Sequence, residues 1–386
     1  MPPPPYEIVL TRTWWDAACE FAAALDLDIL FTLNAGPGPR DQAGAWTPDN
    51  ARELLTYTRD RGCPVTAWEL GNEINGFIIA HGFTLSGEQY AADMAIARAL
   101  VDEVDPGALL AGPADIYWPR WGELVSTMPE FLAEGGPLVD VVTWHYYPQQ
   151  SQKCELVSRL ATVDLLLYAE NLDEVSHWAD EVEGLRDQYA PAAEVWLDET
   201  GHALCGGEEG LSDRFVTGFW WLDQLGLMAA RGQPVVVRQA FTGGEYRLVD
   251  YDTLEPSPDY FNSLLWKRLM GTRALRVTAA AGDFVRLYAH CTAGRSGPVT
   301  VLAINLDQTQ PTRLAFAGAG AARELYLVTG TDLVGTDIFL GGEPLAVGPD
   351  GSPPALSAAS VNDPIELPPL SYAFVVLPDA DAAACR

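Results

Sequence analysis

At 386 residues the chain is long enough for one large domain and a smaller one. Its formal charge of −30, with Lys153 and Lys267 as the only lysines, argues against nucleic acid or an anionic membrane surface as a partner. The 48% hydrophobic and 20% charged content is that of a globular protein, and no apolar run reaches the roughly 18 to 20 residues of a membrane span.

From the start to about residue 270, short apolar runs alternate with longer helical stretches. The opening Met1-Pro2-Pro3-Pro4-Pro5-Tyr6 has neither the basic nor the apolar region of a signal peptide. Strands are predicted at 27–35 (LDILFTLNA), 65–73 (VTAWELGNE), 109–116 (LLAGPADI), 139–147 (VDVVTWHYY), 194–200 (EVWLDET) and 234–241 (PVVVRQAF). Near-continuous apolar runs ending in polar residues are the pattern of buried parallel strands.

Caps mark the helices between them. Thr47-Pro48 opens one helix and Gly62 closes it. Ser86-Gly87-Glu88-Gln89 opens the next, which runs towards Asp105-Pro106. Residues 157–189 read as a helix broken once, and residues 212–232 as an amphipathic helix with Phe215, Phe219 and Leu222 on one face.

The repeated β-α units predict an α/β fold of the (β/α)8 TIM-barrel type. Six units are visible where closure needs eight, so the barrel is incomplete at its N-terminal end or the sheet is open. After about residue 272, short strands with period-two alternation and Gly- and Pro-rich turns predict an antiparallel β-sandwich. The expected domains are therefore 1–271 and 272–386.

Barrel enzymes place their chemistry at the C-terminal strand ends. Two of these ends carry Trp68-Glu69-Leu70-Gly71-Asn72-Glu73 and Trp196-Leu197-Asp198-Glu199, and others carry His145-Tyr146-Tyr147 and Arg238-Gln239. Two facing carboxylates suit glycoside hydrolysis with retention: one protonates the leaving oxygen, and the other, about 5 Å away, attacks the anomeric carbon. Glu73 is the candidate acid/base and Glu199 the candidate nucleophile. Asn72 is placed to bond a sugar hydroxyl, and Tyr147 and His145 to hold the nucleophile's carboxylate. Glu69 lies inside its strand and reads as a structural carboxylate paired with an Arg. Asp198 points away from Glu199 and reads as part of the barrel wall. His81 and His202 read as loop residues. The six cysteines form no C-x-x-C, and no H-E-x-x-H, P-loop or G-x-G-x-x-G occurs, so no metal and no organic cofactor is expected.

These segments resemble glycoside hydrolase family 79, the heparanase family. WELGNEINGF (68–77) is similar to its acid/base motif, and VWLDET (195–200) with CGGEEGLSDRF (205–215) to its nucleophile motif and following loop. The likeness continues through residues 219–250 and 258–275 and covers essentially the whole chain. The resemblance implies a (β/α)8 barrel with a β-sandwich that hydrolyses β-glucuronides with retention. It carries Glu73 and Glu199 over as acid/base and nucleophile, and Asn72, His145, Tyr147 and Gln239 as supporting residues. It assigns Gly206, Gly207 and Tyr246 to the uronate carboxylate, and a disulfide to Cys291 and Cys385. A glucuronic-acid-containing oligo- or polysaccharide is the implied partner, and the disulfide implies an oxidising extracellular or lysosome-like compartment.

Three departures from the family pattern stand out. The first two barrel strands are absent, a part that a separate small subunit supplies in heparanase. Ile79 and Gln152 stand where the animal enzyme has basic residues, and residues 115–132 hold only Arg120 as a cation. The loop 241–246 is one residue shorter. Two other readings stay open: a non-catalytic glycan-binding relative, and a barrel fragment inactive without a missing N-terminal segment.

Overall fold

The computed structural model describes residues 9–117, 126–279, 282 and 284–386. The opening Pro-rich stretch and Arg120 lie outside them. The chain divides into two compact units, Met1–Tyr146 with Trp178–Asp198, and Tyr147–His177 with Glu199–Arg386.

The first unit is built on a parallel sheet. Its strands are β1 (Ile29–Leu33), β2 (Val65–Leu70), β3 (Leu109–Tyr117) and β4 (Val141–Tyr146), which pair in that order. The two-residue β5 (Gln149–Gln150) follows in the chain, and β6 (Glu194–Thr200) is the neighbour of β4 in the sheet. The expected strands form: β1, β2 and β4 are shorter than predicted, β3 runs one residue further, and β6 keeps its predicted bounds. All six residues of β4 are buried, as a parallel strand covered on both faces requires.

Helix α1 (Arg12–Ala24) was not anticipated from the sequence. Thr11 caps it by accepting from the Trp14 N–H, and Trp15, Cys19 and Ala22 form its buried stripe. Trp15 Nε1 donates to Thr58 on α2 (Asp49–Arg61) at 2.9 Å, and Cys19 is disulfide-bonded to Cys63 just beyond that helix. Helix α2 begins one residue later than expected, with Pro48 in the cap position and Gly62 closing it at φ +69°. The short α3 (Phe77–His81) follows β2. The predicted Ser86 cap of α4 (Gly87–Val104) forms, with Gln89 N donating to Ser86 Oγ at 3.1 Å. Helix α5 (Met128–Gly135) leads into β4. The break expected within 157–189 falls at Tyr168, between α6 (Val163–Leu167) and α7 (Ala169–Tyr189).

In the second unit, β7 (Ala203–Leu204) pairs with β5, and α8 (Thr217–Arg231) and β8 (Val236–Arg238) follow. Helix α9 (Pro258–Leu269) runs directly into β9 (Met270–Leu275), the edge strand of an eight-stranded sheet. That sheet is completed by β10 (Val285–Thr292), β11 (Val299–Asn305), β13 (Ala322–Gly330), β14 (Ile338–Leu340), β15 (Glu343–Pro344), β16 (Ala359–Asn362) and β18 (Ser371–Leu377). Strands β12 (Thr312–Leu314) and β17 (Ile365–Leu367) form a separate pair.

Every residue of β11 and β18 is buried because successive side chains point to opposite faces and both faces are covered. Leu302, Ile304, Phe374 and Val376 pack with the residues of α8 and α9 in one core cluster. Val301, Ala303, Ala373 and Val375 pack with Ile365 and Leu367 of the β12–β17 pair in another. Gly226, inside α8, is required because a Cβ there would lie 2.2 Å from the Tyr288 ring. Cys291 is disulfide-bonded to Cys385 and ties β10 to the C-terminus.

A buried ion pair stabilises the start of β13 in this sheet. Arg323, whose side chain is 0% exposed, binds Asp363 through two nitrogens and donates to the carbonyls of Gly320 and Ala322. Arg323→Met should destabilise the protein by about 3–5 kcal/mol, because it strands the Asp363 carboxylate without its counter-charge. Chemical denaturation checks this, and Arg323→Met with Asp363→Asn should recover part of the loss.

Candidate active site

Glu73 follows β2 in the left-handed region, at φ +50° and ψ +55°. For a non-glycine residue that conformation costs about 1–2 kcal/mol and needs support from its surroundings. The Glu73 N–H donates to the Ala114 carbonyl of β3 at 2.9 Å. Asn75 clamps the same turn to β3, its Nδ2 donating to the Ile116 carbonyl and its Oδ1 accepting from the Ile116 N–H, both at 3.0 Å. Asn75 was not singled out from the sequence, although it lies within the quoted WELGNEINGF segment. It presents Glu73 as a fixed strand-end carboxylate.

His145 lies at the end of β4, with Nδ1 3.2 Å from Glu73 Oε1. It was expected to hold the nucleophile's carboxylate, and in this unit it faces the acid/base candidate. Its Nε2 lies 3.6 Å from Asp198 Oδ1 on β6, a carboxylate that is itself buried. Asn72 is exposed, and together with Glu73, Asn34, Thr32, Phe77 and His81 it lines a cavity of about 330 Å³. Ile79, which stands where a cation was expected, is 69% exposed.

The second unit holds the other expected residues. Glu199, at the end of β6, accepts a 2.6 Å hydrogen bond from the Tyr147 hydroxyl. A phenol donating to a carboxylate favours its charged form, which is the form a nucleophile needs. Gly201 keeps the space beside this pair open, since a Cβ there would lie 2.9 Å from the Tyr147 ring and 3.3 Å from the Tyr246 ring. Gly206 and Gly207 adopt φ +85° and +81°, and a Cβ on Gly207 would meet the Tyr246 N–H at 2.9 Å. The Gly206 carbonyl accepts from Glu245 N at 2.7 Å, and Gln239 N donates to the Thr200 carbonyl at 2.8 Å. Glu199, Tyr147, Tyr246 and the glycine pair are thus brought together.

Cys154 and Cys205 form a third disulfide, which the sequence reading left unassigned. It ties the loop after β5 to the start of the glycine loop. On that rim Gln152 spends its backbone N–H and its amide on Glu208, each at 2.8 Å, and Lys153 pairs with Glu245 at 2.7 Å. The rim is acidic, so it offers a polyanion no unneutralised cation among these residues.

His202 is buried, its Nε2 2.6 Å from Ser212 Oγ. Burial, reinforced by the Arg238 charge, pushes its pKa down to about 3 from an ordinary 6.5. The folded state therefore refuses a proton that the unfolded chain accepts below pH 6.5. Stability from this residue is present above that pH and is lost progressively as pH falls towards 3. Denaturation between pH 7 and 4 should show a loss on the order of a few kcal/mol, which His202→Gln should reduce.

The fold class is that of barrel glycosidases. The α-L-arabinofuranosidase from Thermotoga maritima superposes with a TM-score of 0.67 at 15% identity, covering 95% of this chain and 78% of that one. The family model for "Glycosyl hydrolase family 79, N-terminal domain" matches residues 7–226. Heparanase of Gallus gallus is 36% identical over 97% of this chain and 72% of its own length. "Inactive heparanase-2" of Homo sapiens is 29% identical over 98% of this chain and 66% of its own length. The chain belongs to glycoside hydrolase family 79. Its three disulfides fit an oxidising extracellular or lysosomal compartment, and among the described residues no helix is long and apolar enough to cross a membrane.

Proposed function

We propose that the protein is a retaining β-glucuronidase or endo-β-glucuronidase acting on glucuronic-acid-containing glycans. Glu73 serves as acid/base and Glu199 as nucleophile. The observation that carries this reading is the 2.6 Å hydrogen bond from Tyr147 to Glu199 at the strand end where the family motif predicts the nucleophile. Glu199 attacks the anomeric carbon while Glu73 protonates the departing oxygen, giving a glycosyl ester on Glu199. Glu73 then takes a proton from water, whose oxygen displaces Glu199 from the sugar. The mechanism requires the two carboxyl groups about 5 Å apart. Gly206, Gly207 and Tyr246 receive the uronate carboxylate, with backbone N–H groups of the glycine loop as donors. Asn72 bonds a sugar hydroxyl, and Gln239 supports the nucleophile side. The acidic rim at Glu208 and Glu245 and the apolar Ile79 favour a glycan with little or no sulfate.

The test is hydrolysis of an aryl β-glucuronide followed by proton NMR of the sugar first released. β-Glucuronic acid appearing before its α-anomer supports retention. The α-anomer first would refute the double displacement. A wild-type chain that binds glucuronides and turns none over is a non-catalytic relative, like the one named inactive.

A further inference from the structure

Glu69 is a fully buried acid that no step above uses. It does not pair with an Arg, as its sequence context suggested. Its Oε1 accepts from Thr143 Oγ1 at 2.7 Å and its Oε2 from Thr32 Oγ1 at 2.9 Å, and Asp198 is the neighbouring acid whose charge acts on it. Asp198 faces Nε2 of His145, whose Nδ1 faces Glu73. Four ionisable groups therefore run in series from the sheet interior to the candidate acid, Glu69 to Asp198 to His145 to Glu73.

We propose that Glu69 and Asp198 share one proton, and that this pair fixes the tautomer of His145 so that Nδ1 accepts a hydrogen bond from the protonated Glu73. Glu69 and Asp198 are then positioning residues, and the proposal rests on the reading of Glu73 as the acid.

Two carboxyl groups in contact and out of water cannot both be ionised. Burial first, and then the Asp198 charge, push the Glu69 carboxyl well above its ordinary range, so the shared proton resides on Glu69. Its O–H then points to the Asp198 carboxylate. That charge, 3.6 Å from Nε2, draws the imidazole proton to Nε2. Nδ1 is left with a lone pair, which favours the protonated Glu73 facing it. Once Glu73 has given its proton to a leaving group, the same lone pair makes its carboxylate a stronger base towards the incoming water. Other charged groups packed around the pair are already engaged. Tyr90 donates to the Leu70 carbonyl at 2.6 Å, Asp93 pairs with Arg40 at 2.7 Å, and Asp115 accepts from Thr127 and Met128.

Nitrogen-15 NMR of histidine-labelled full chain at pH 7 reads the tautomer directly, with the His145 signals assigned by their loss in His145→Gln. The wild type should show a neutral ring protonated on Nε2. Glu69→Gln, which keeps a donor towards Asp198, should leave it unchanged, and Asp198→Asn should move the proton wholly or partly to Nδ1. An Nδ1–H ring or an imidazolium in the wild type overturns the proposal. So does a tautomer that changes in Glu69→Gln and persists in Asp198→Asn. In turnover, Asp198→Asn should draw the alkaline limb of the kcat/KM profile down by about one pH unit, and Glu69→Gln should not. The tautomer is read in the resting protein. A wild type that hydrolyses no glucuronide would therefore refute the activity reading and leave this result standing.

Discussion

Glu199→Gln should abolish hydrolysis of every β-glucuronide, lowering kcat by on the order of 10⁴-fold or more. The amide is isosteric with the carboxylate and still meets the Tyr147 hydroxyl, so the local structure should persist. What disappears is the nucleophile, since a neutral amide forms no glycosyl ester. No activated leaving group can compensate, because bond formation to the anomeric carbon is missing whatever departs. Steady-state kinetics with aryl glucuronides of graded phenol acidity check this. Equal loss across the series marks the nucleophile. Near-wild-type turnover of any member would remove Glu199 from that role. In the wild type, a mechanism-based fluoro-sugar glucuronide should label Glu199, and peptide mass spectrometry would locate the adduct.

Glu73→Ala should behave differently, and the contrast separates the two roles. General acid assistance contributes about 10²–10⁴-fold, and it matters in proportion to how poorly the leaving oxygen departs unaided. With an acidic phenol the first step should be nearly unaffected. The second should be slow, because no base activates the water, and a burst of phenol followed by slow turnover is the expected trace. With an alkyl or sugar leaving group the first step should itself fall by about 10²–10⁴-fold. Azide should restore turnover of the phenyl substrate as a β-glucuronyl azide, since this anion needs no base. A variant equally impaired on all leaving groups and unresponsive to azide would contradict the acid/base role. Ala keeps the Cβ of Glu73 and so adds no new clash at this left-handed position, and Glu73→Gln serves as a second variant.

The tertiary structure gave the acid side neighbours that the sequence reading did not name. His145, read from its place in the WHYY motif as a support for the nucleophile, also has its Nδ1 facing Glu73 and its Nε2 facing Asp198. From sequence, Asp198 was assigned to the barrel wall and Glu69 to a pairing with an Arg. One-dimensional position shows that a residue is inside a strand, and it does not show what is across the sheet from it. The same holds for the cysteines. A resemblance could suggest Cys291–Cys385, while Cys19–Cys63 and Cys154–Cys205 depend on which loops the fold brings together. Helix α1 escaped notice although Thr11 and the Trp15, Cys19, Ala22 spacing mark it, because no turn signal ends it: Leu25 occupies its C-cap.

By itself the sequence determined the strand ends, the switch from helical to period-two patterning and the two motif carboxylates. Each is written in local order, through apolar runs stopped by polar residues and through caps within a few positions of the helix they start. Only the folded chain decided that Glu69, Asp198 and His145 meet, that Tyr147 reaches Glu199, and that Gly201 leaves room between two tyrosine rings. These contacts join residues far apart in the chain. They exist because parallel strands, set side by side by the burial of their apolar faces, deliver their ends to the same edge of the sheet.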